Sequence, residues 1–338
     1  MREVVVSLFM MLMASAPALA FVIEDRTTFG PNNADTVLRV VSTADIAFFA
    51  PIVRPFLDGN PNLAIDYTVA SSSDVMRAVH DQGLAYDLVI SSAMDLQTKL
   101  ANDGLALSYR SPSTLALPDW ANWRDQVFAF TQEPATIVVS NAAFDELDIP
   151  RNRQELISVM RENPERFRGR VGTYDVRQSG LGYLFATQDA RASETYWRLA
   201  EVMGGLRAKL YCCSSDMIND VVSGDLLIAY NVLGSYALNH DDEDAFTIVL
   251  PSDFTTVMLR TAIIPLTSEN PDLAGRLVDH LVSQSGSGKM NFLTGTGVLG
   301  AAKEISLRRI QLGPGLLVYL DRFKNRSFVS EWESAILQ

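Results

Sequence analysis

Short apolar runs alternate with longer amphipathic segments along most of the chain. The apolar runs have the length and the turn-bounded ends of buried strands, and the segments between them repeat apolar residues at helical spacing. In the first third of the chain this pattern predicts strands at 36–41, 64–70 and 86–91 and helices at 46–57, 72–82 and 93–103. Such strand-then-helix alternation predicts an α/β unit with an open, largely parallel sheet.

A second round of strands and helices follows before the chain returns to the first unit. Strands are predicted at 132–141, 169–174 and 225–231, helices at 153–163, 192–203 and 217–222, and one further helix from Ser179. Strands at 246–251 and 257–265 and a helix at 272–283 complete the pattern. The chain therefore crosses twice between two units, and such crossings are natural hinges.

The crossings define a two-lobed α/β organisation. We expect them at 133–141 and 246–256. Lobe one is predicted to comprise 36–132 with 255–338, and lobe two to comprise 140–245. A chain of 338 residues exceeds the usual size of one hydrophobic core, which also favours two domains.

Residues 1–20 are typical of a secretory signal peptide. Arg2 begins the segment, an apolar run follows at 4–13, and Ala18-Leu19-Ala20 forms a small-residue cleavage site. The mature protein is then expected to start near Phe21 and to be periplasmic; the alternative is an uncleaved membrane anchor. No later stretch approaches the ~18 unbroken apolar residues that a membrane helix needs.

The charge narrows the classes of ligand. The formal net charge is −12, which argues against nucleic acid, because binding to it requires a dense basic surface. A small anionic ligand is not excluded, since backbone N–H groups at helix N-termini bind anions whatever the total charge of the protein.

Cys212 and Cys213 are adjacent and are the only two cysteines. In an oxidising compartment they can form a vicinal disulfide; the alternative is two buried thiols that pack as small apolar residues. The three histidines show no metal-site spacing. No metal or other cofactor is expected.

Three predicted strand-to-helix junctions carry small hydroxyl residues or glycine. They are Ser42-Thr43-Ala44-Asp45, Ser91-Ser92-Ala93, and Thr173-Tyr174-Asp175 running to Ser179-Gly180-Leu181-Gly182. At such junctions the unpaired N–H groups of the helix face the crevice in which open α/β sheets bind ligands. This chemistry suits phosphate or carboxylate, with Arg177 as a charge partner. The alternative is that these residues only cap their helices.

Signatures of catalysis are missing from the sequence. It contains no GxSxG or HExxH motif and no cysteine with a histidine partner in a catalytic pattern. Glu133 and Asp175 could act as a carboxylate pair, although two carboxylates in a chain of this length are more often structural. Both stay among the candidate ligand-binding residues, and no enzymatic activity is expected.

Several stretches together resemble one known family. They are 87–97, 133–138, 172–175 with 179–183, and 224–231. The chain resembles the periplasmic substrate-binding proteins of ABC importers, in the branch of the ferric-binding proteins, and most closely the phosphoglycerate and hexose-phosphate binding subgroup. The resemblance implies a type II clamshell that binds a solute without catalysis and releases it to an inner-membrane ABC permease. It also implies that the following residues face the cleft: Ser42, Thr43, Ser91, Ser92, Thr173, Tyr174, Ser179, Gly180 and Asn231.

The resemblance bears less directly on the ligand. Iron-binding members carry two adjacent tyrosines just after the strand that 225–231 matches, whereas here only Tyr236 follows. A small anionic metabolite, phosphorylated or carboxylated, is therefore predicted, and a ferric or other metal cargo is the alternative.

The C-terminal tail at 308–332 raises a second alternative role. It is similar to a tail of the phosphoglycerate-type subgroup, whose members can report their ligand to a sensor histidine kinase. The simpler interpretation is a last helix packed on lobe one. The family's usual form is a monomer.

Overall fold

The computed structural model describes residues 21–238, 240–284 and 307–338. The predicted signal peptide at 1–20 lies outside the described residues. Within them, no helix combines the length and the apolar character that crossing a membrane would require.

The first unit contains a mixed sheet built around the predicted parallel strands. β2 lies between β3 and β4 and is parallel to both, while β1 pairs antiparallel with the edge of β3. Apolar side chains of these strands pack against α1 and α11. The elements of this unit are β1 Asp25–Phe29, β2 Thr36–Ser42, α1 Ile46–Asp58, β3 Leu63–Val69, α2 Ser72–Met76, β4 Leu88–Ser91, α3 Met94–Asn102, α4 Pro112–Leu115, β5 Asn122–Trp123 and α11 Pro271–Gln284.

The second unit repeats the arrangement with a smaller sheet. β7 lies between β8 and β9 and is parallel to both. Its helices enclose a separate apolar core. The elements of this unit are α5 Arg153–Glu162, α6 Pro164–Phe167, β7 Val171–Tyr174, α7 Gly180–Ala192, α8 Thr195–Gly205, β8 Lys209–Tyr211, α9 Ser214–Ser223, β9 Ile228–Leu233, α10 Gly234–Leu238 and β10 Phe246–Val249.

One long strand joins the two sheets. The first half of β6 (Val127–Ser140) pairs antiparallel with β11 (Thr255–Ile263), and its second half pairs with β9 and β10. The chain returns to the first unit between β10 and β11. The two crossings therefore lie within β6 and between β10 and β11.

The C-terminal segment connects both units, which differs from the expected boundary of lobe one at 255–338. β12 (Leu307–Arg309) pairs with β11, but α12 (Arg322–Ile336) packs against α8 of the second unit. Trp332 is 2% exposed and joins the core of that unit together with Phe328. The sequence does not tell which unit this last helix meets.

Candidate functional site

A cavity of about 50 Å³ lies between the two units. It is lined by the loops that follow the parallel strands, where ligand crevices of open α/β sheets are found. From the first unit it is lined by Glu24, Thr43, Asp45, Ala70, Ser71, Ser72 and Ser92. From the second unit it is lined by Tyr174, Ser179, Leu181, Cys212, Cys213, Ser214, Ser215, Leu233 and Tyr236.

The hydroxyls of the first unit divide into two pairs. Ser42 and Ser91 are buried, and their Oγ atoms accept from the backbone N–H of the residue two positions on, Ala44 at 2.9 Å and Ala93 at 3.1 Å. These two serines hold the turns. Thr43 and Ser92 reach the cavity and lie 3.2 Å apart between their oxygens. In each loop the first residue, Ser42 or Ser91, therefore shapes the turn. The next residue, Thr43 or Ser92, lines the cavity.

The second unit directs two helix N-termini at the same space. The Ser179 hydroxyl caps α7 by accepting from the N–H of Gly182 at 3.1 Å. α9 begins after Cys213, which makes no side-chain cap. Tyr174 and Ser214 share a hydrogen bond of 2.5 Å between their hydroxyls, and burial is the main cause of the raised pKa of this tyrosine. The first-turn N–H groups of α9 thus lie at the cavity without a side-chain partner from its N-cap residue.

The two units touch across the cavity. The Leu181 N–H donates to Ser72 Oγ at 3.1 Å, and the ring of Tyr236 stacks on Phe48 at 5.9 Å between centroids. Gly180 sits where the units approach most closely, because a Cβ there would lie 2.8 Å from Ser72 Oγ. The structure therefore has the lobes in a closed arrangement.

Two carboxylates belong to the cavity wall. Asp45 is half-buried at the N-cap of α1, and Glu24 lies exposed at the mouth. Loss of water contact raises the pKa of both carboxyls, and the neighbouring charge of Asp216 adds to this effect. Arg260 opposes the shift at Asp45, as does a hydrogen bond from Ser215. Among the lining residues that the structure describes there is no lysine or arginine.

Glu133 lies away from the cavity. It is 2% exposed and makes a two-pronged ion pair with Arg260, with Nε to Oε1 at 2.9 Å and the second guanidinium nitrogen to Oε2 at 3.1 Å. Thr131 and Ser235 donate to the same carboxylate. Burial would raise its pKa, but Arg260 and these donors outweigh burial and hold the pKa below the usual value.

Asn231 and Thr173 lie on a different side of the second unit. Asn231 has a φ of 64° and donates to Asp189 at 3.0 Å. Together with Thr173, Tyr230 and Trp332 it lines a separate cavity of about 10 Å³. Asn231 and Tyr230 donate to Asp189 in a buried network, and neither Asn231 nor Thr173 lines the space between the units.

Arg177 is paired with Asp175 and does not line the cavity. Two of its guanidinium nitrogens contact the Asp175 carboxylate at 2.8 and 2.7 Å, and a third reaches Glu333 of α12 at 3.4 Å. The pair therefore links the loop before α7 to the C-terminal helix. Of the sequence-based candidates, the structure places Thr43, Ser92, Tyr174 and Ser179 on the cavity wall.

Sequence reasoning missed several residues of the wall. Asp45 ends the Ser42–Asp45 junction that the sequence singled out, so a signal for it existed. Cys212 and Cys213 were noticed for their redox chemistry; they are bonded to each other and line the cavity. The Glu24 carboxylate comes within 4.8 Å of both sulfurs, yet it precedes every predicted strand and carried no signal.

Comparisons with known proteins agree with this architecture. The family model for bacterial extracellular solute-binding proteins matches residues 38–289. The structure of the substrate binding protein of the ABC transporter from Agrobacterium tumefaciens is 30% identical, covers 93% of this chain and 98% of its own, and superposes with a TM-score of 0.86. No curated protein gives a significant match in sequence.

Two less similar structures support the fold alone. AfuA from Actinobacillus pleuropneumoniae, a periplasmic binding protein with fructose-6-phosphate bound, has 15% identity and a TM-score of 0.72 over 90% of this chain and 99% of its own. The ferric binding protein from Campylobacter jejuni has 14% identity and a TM-score of 0.67 over 88% and 99%. The predicted type II clamshell is confirmed. Because the family model covers most of its length, this chain belongs to the bacterial extracellular solute-binding proteins, which bind solutes and do not transform them.

Proposed function

We propose that this protein is the periplasmic component of an ABC importer that captures a small anionic metabolite, phosphorylated or carboxylated, between its lobes. One observation carries the proposal: the start of α9, and hydroxyls from both units, converge on a single cavity between the units. N–H groups at helix N-termini and hydroxyl donors are suited to phosphate and carboxylate oxygens.

Closure of the two lobes would couple solute binding to transport. Ligand groups held by Thr43 and Ser92 on one side and by the start of α9 on the other touch both units only in the closed form. A solute that contacts both lobes therefore shifts the open–closed equilibrium, by as much as its affinities for the two forms differ. The closed form is then the one that an inner-membrane permease would recognise.

A ferric cargo has less support. Ferric iron prefers hard anionic oxygen ligands such as phenolate, and the two tyrosines of the wall resist losing their protons. Burial raises the pKa of Tyr236 to about 12, although Arg260 opposes the shift, and it raises the pKa of Tyr174 further. The two sulfurs beside Glu24 are joined in a disulfide. The oxygen donors at the cavity thus fit a hydrogen-bonded solute better than a metal ion.

The test is thermal unfolding of refolded, ligand-stripped protein with ethyl phosphate, sugar phosphates, di- and tricarboxylates and ferric citrate. A ligand present at a hundred times its Kd stabilises the folded state by about 2.7 kcal/mol. We expect a rise in Tm with phosphorylated or carboxylated compounds. A rise with ferric citrate that plain citrate does not reproduce would instead establish a metal cargo.

A variant pair separates ligand binding from folding. Thr43→Val removes a hydroxyl from the cavity wall and keeps the side-chain shape. The affinity for an anion that binds in the unfolding panel is therefore expected to fall about tenfold, because one hydrogen bond to a charged ligand is lost. Thr187→Val is the control, because that hydroxyl bonds to Leu184 within α7 and lies outside the cavity wall. Equal affinity in the two variants would contradict the placement of Thr43.

A further inference from the structure

The carboxylates of the cavity wall have a feature that an anionic solute alone does not explain. Asp45 and Glu24 face the space in which the proposed ligand would be held. Asp74 and Asp216 lie near enough to raise the pKa of Glu24 further. A purely anionic solute would enter this space against the two carboxylates of the wall.

The nearest cations lie outside the cavity wall. Arg260 opposes the rise in the pKa of Asp45, but two of its guanidinium nitrogens are bonded to Glu133, the third has no hydrogen-bond partner among the described residues, and the guanidinium carbon lies 4.8 Å from the ring centroid of Phe48. Arg77 is ion-paired with Asp74. The described lining residues thus leave the charges of Asp45 and Glu24 without a cationic partner of their own.

The missing cationic partner has its largest energetic effect when the cavity closes. When a solute displaces water from the closed cavity, a carboxylate loses solvation that only a hydrogen bond or an opposite charge restores. Asp45 has one donor, Ser215, and makes no cap bond to the first turn of α1. A cationic group on the solute would supply the missing charge at the point where the wall is acidic.

Resting on the proposed function, we infer that the solute is zwitterionic: it carries an ammonium or similar cation, held by Asp45 and Glu24, beside the anionic group held by the start of α9 and the hydroxyls of the wall. The two polar ends of such a molecule match two chemically different parts of one small cavity. The substrate class is therefore an amine-bearing phosphate, phosphonate or carboxylate of a few carbon atoms.

Two matched triplets of probes test this inference by calorimetry and thermal unfolding. The first is ethyl phosphate, O-phosphoethanolamine and ethanolamine; the second is propionate, β-alanine and ethylamine. Within each triplet the anion, the zwitterion and the cation share one carbon skeleton. We expect the zwitterion of at least one triplet to bind at least tenfold more tightly than its anion, and the amine alone to bind weakest.

Asp45→Asn removes the proposed partner of the cation. The tenfold advantage of the zwitterion should disappear in this variant, with the affinity for the plain anion unchanged or improved. Asp58→Asn is the control: it neutralises an exposed carboxylate at the other end of the same helix and should keep the advantage.

The other outcomes contradict the zwitterion inference, the proposed function, or both. If the plain anions bind as tightly as the zwitterions, the inference fails and the proposed function stands. If the amines bind as tightly as the zwitterions, both the zwitterion and the anionic solute class are wrong. If none of the six compounds binds while a larger anion of the unfolding panel does, the inference fails and the proposed function stands; if no anion of that panel binds either, both fail.

Discussion

Carboxylates in the interior of this protein and carboxylates in its cleft differ in whether an arginine pairs with them. Inside the molecule, Glu133 is paired with Arg260 and Asp189 with Arg153, and the side chains of both pairs are at most 3% exposed. At the cleft, Asp45 and Glu24 line the wall with no arginine or lysine among the described lining residues. The chain thus pairs the interior carboxylates with arginines and leaves the carboxylates that line the cavity without an arginine or lysine on the described wall.

The Arg153–Asp189 pair belongs to a complete hydrogen-bonding network, whereas one guanidinium nitrogen of Arg260 is buried without a hydrogen-bond partner among the described residues. Arg153 donates to the Tyr230 hydroxyl at 2.7 Å and to the Phe254 carbonyl at 2.8 Å in addition to its carboxylate partners. Asp189 accepts from Tyr230 and Asn231 on one oxygen. Buried ions are tolerated when all their hydrogen-bonding positions are satisfied in this way. The network ties α5 and α7 to the segment before β11, where the chain crosses between the lobes.

The cleft is built for the opposite purpose. A carboxylate that a ligand must reach cannot be covered by an arginine of the same chain, because that arginine would occupy the site. The cost is a raised pKa at Asp45 and Glu24 in the ligand-free state. Binding affinity gained from such groups is stability given up elsewhere, a common pattern at functional sites.

The largest expected effect follows from breaking the interior network. Arg153→Leu would leave Asp189 charged and buried without its partner, and we expect the free energy of unfolding to fall by about 3–5 kcal/mol. Urea denaturation at neutral pH measures this loss. The control is Arg26→Leu, which removes an exposed partner of Asp66 and should cost at most about 1 kcal/mol. Similar losses in both variants would show that burial of the pair is not what matters.

Glu133→Gln tests the second interior pair through its dependence on pH. The pKa of Glu133 is lowered in the folded state, so its charge stabilises the fold above the unfolded pKa, about 4.3, and this contribution is lost as the pH falls through the folded pKa. At pH 7.5 we expect the variant to be about 2–3 kcal/mol less stable than the parent protein. At a pH below both values the difference should shrink. A constant difference at all pH values would indicate lost packing instead of lost charge.

The fold and the cleft were not equally predictable from the sequence. Periodicity locates β2, β3 and β4, because strands that are buried on both faces show as short apolar runs between turn residues. The placement of α12 depends on which apolar surface is free to receive Trp332, and that surface is formed by residues far away in the sequence. Local patterns contain no such information.

In the cleft, too, only some residues could be predicted from local sequence patterns. Thr43 and Ser92 were identified because hydroxyls at strand-to-helix junctions mark crevices of open sheets. Arg177 had the chemistry of a ligand partner, but Asp175, two positions earlier, binds it within its own loop. Glu24 could be found only after β1 was placed at the sheet edge, since nothing in its sequence neighbourhood distinguishes it.

The smallest expected effect on stability belongs to Asp45, and its sign is opposite to that at Glu133. The pKa of Asp45 is raised by burial and by Asp216 and Asp25, against the effects of Arg260 and Ser215. Its ionised form therefore destabilises the ligand-free fold above the folded pKa, and the penalty is absent below the unfolded pKa of about 3.9. Because Asp45 makes no side-chain cap bond, Asp45→Asn sacrifices no hydrogen bond within α1.

We therefore expect ligand-free Asp45→Asn to be as stable as the parent protein at pH 7.5, or more stable by up to about 1 kcal/mol, with the gain vanishing near pH 3.5. Urea denaturation at the two pH values measures it, with Asp58→Asn as the control for the loss of one negative charge. A loss of stability at pH 7.5 comparable to that of Glu133→Gln would mean that the Asp45 carboxylate stabilises the fold. The contrast between interior and cleft would then be wrong. Equal or greater stability, combined with a lost preference for zwitterionic probes, would mean that this carboxylate is retained for the ligand.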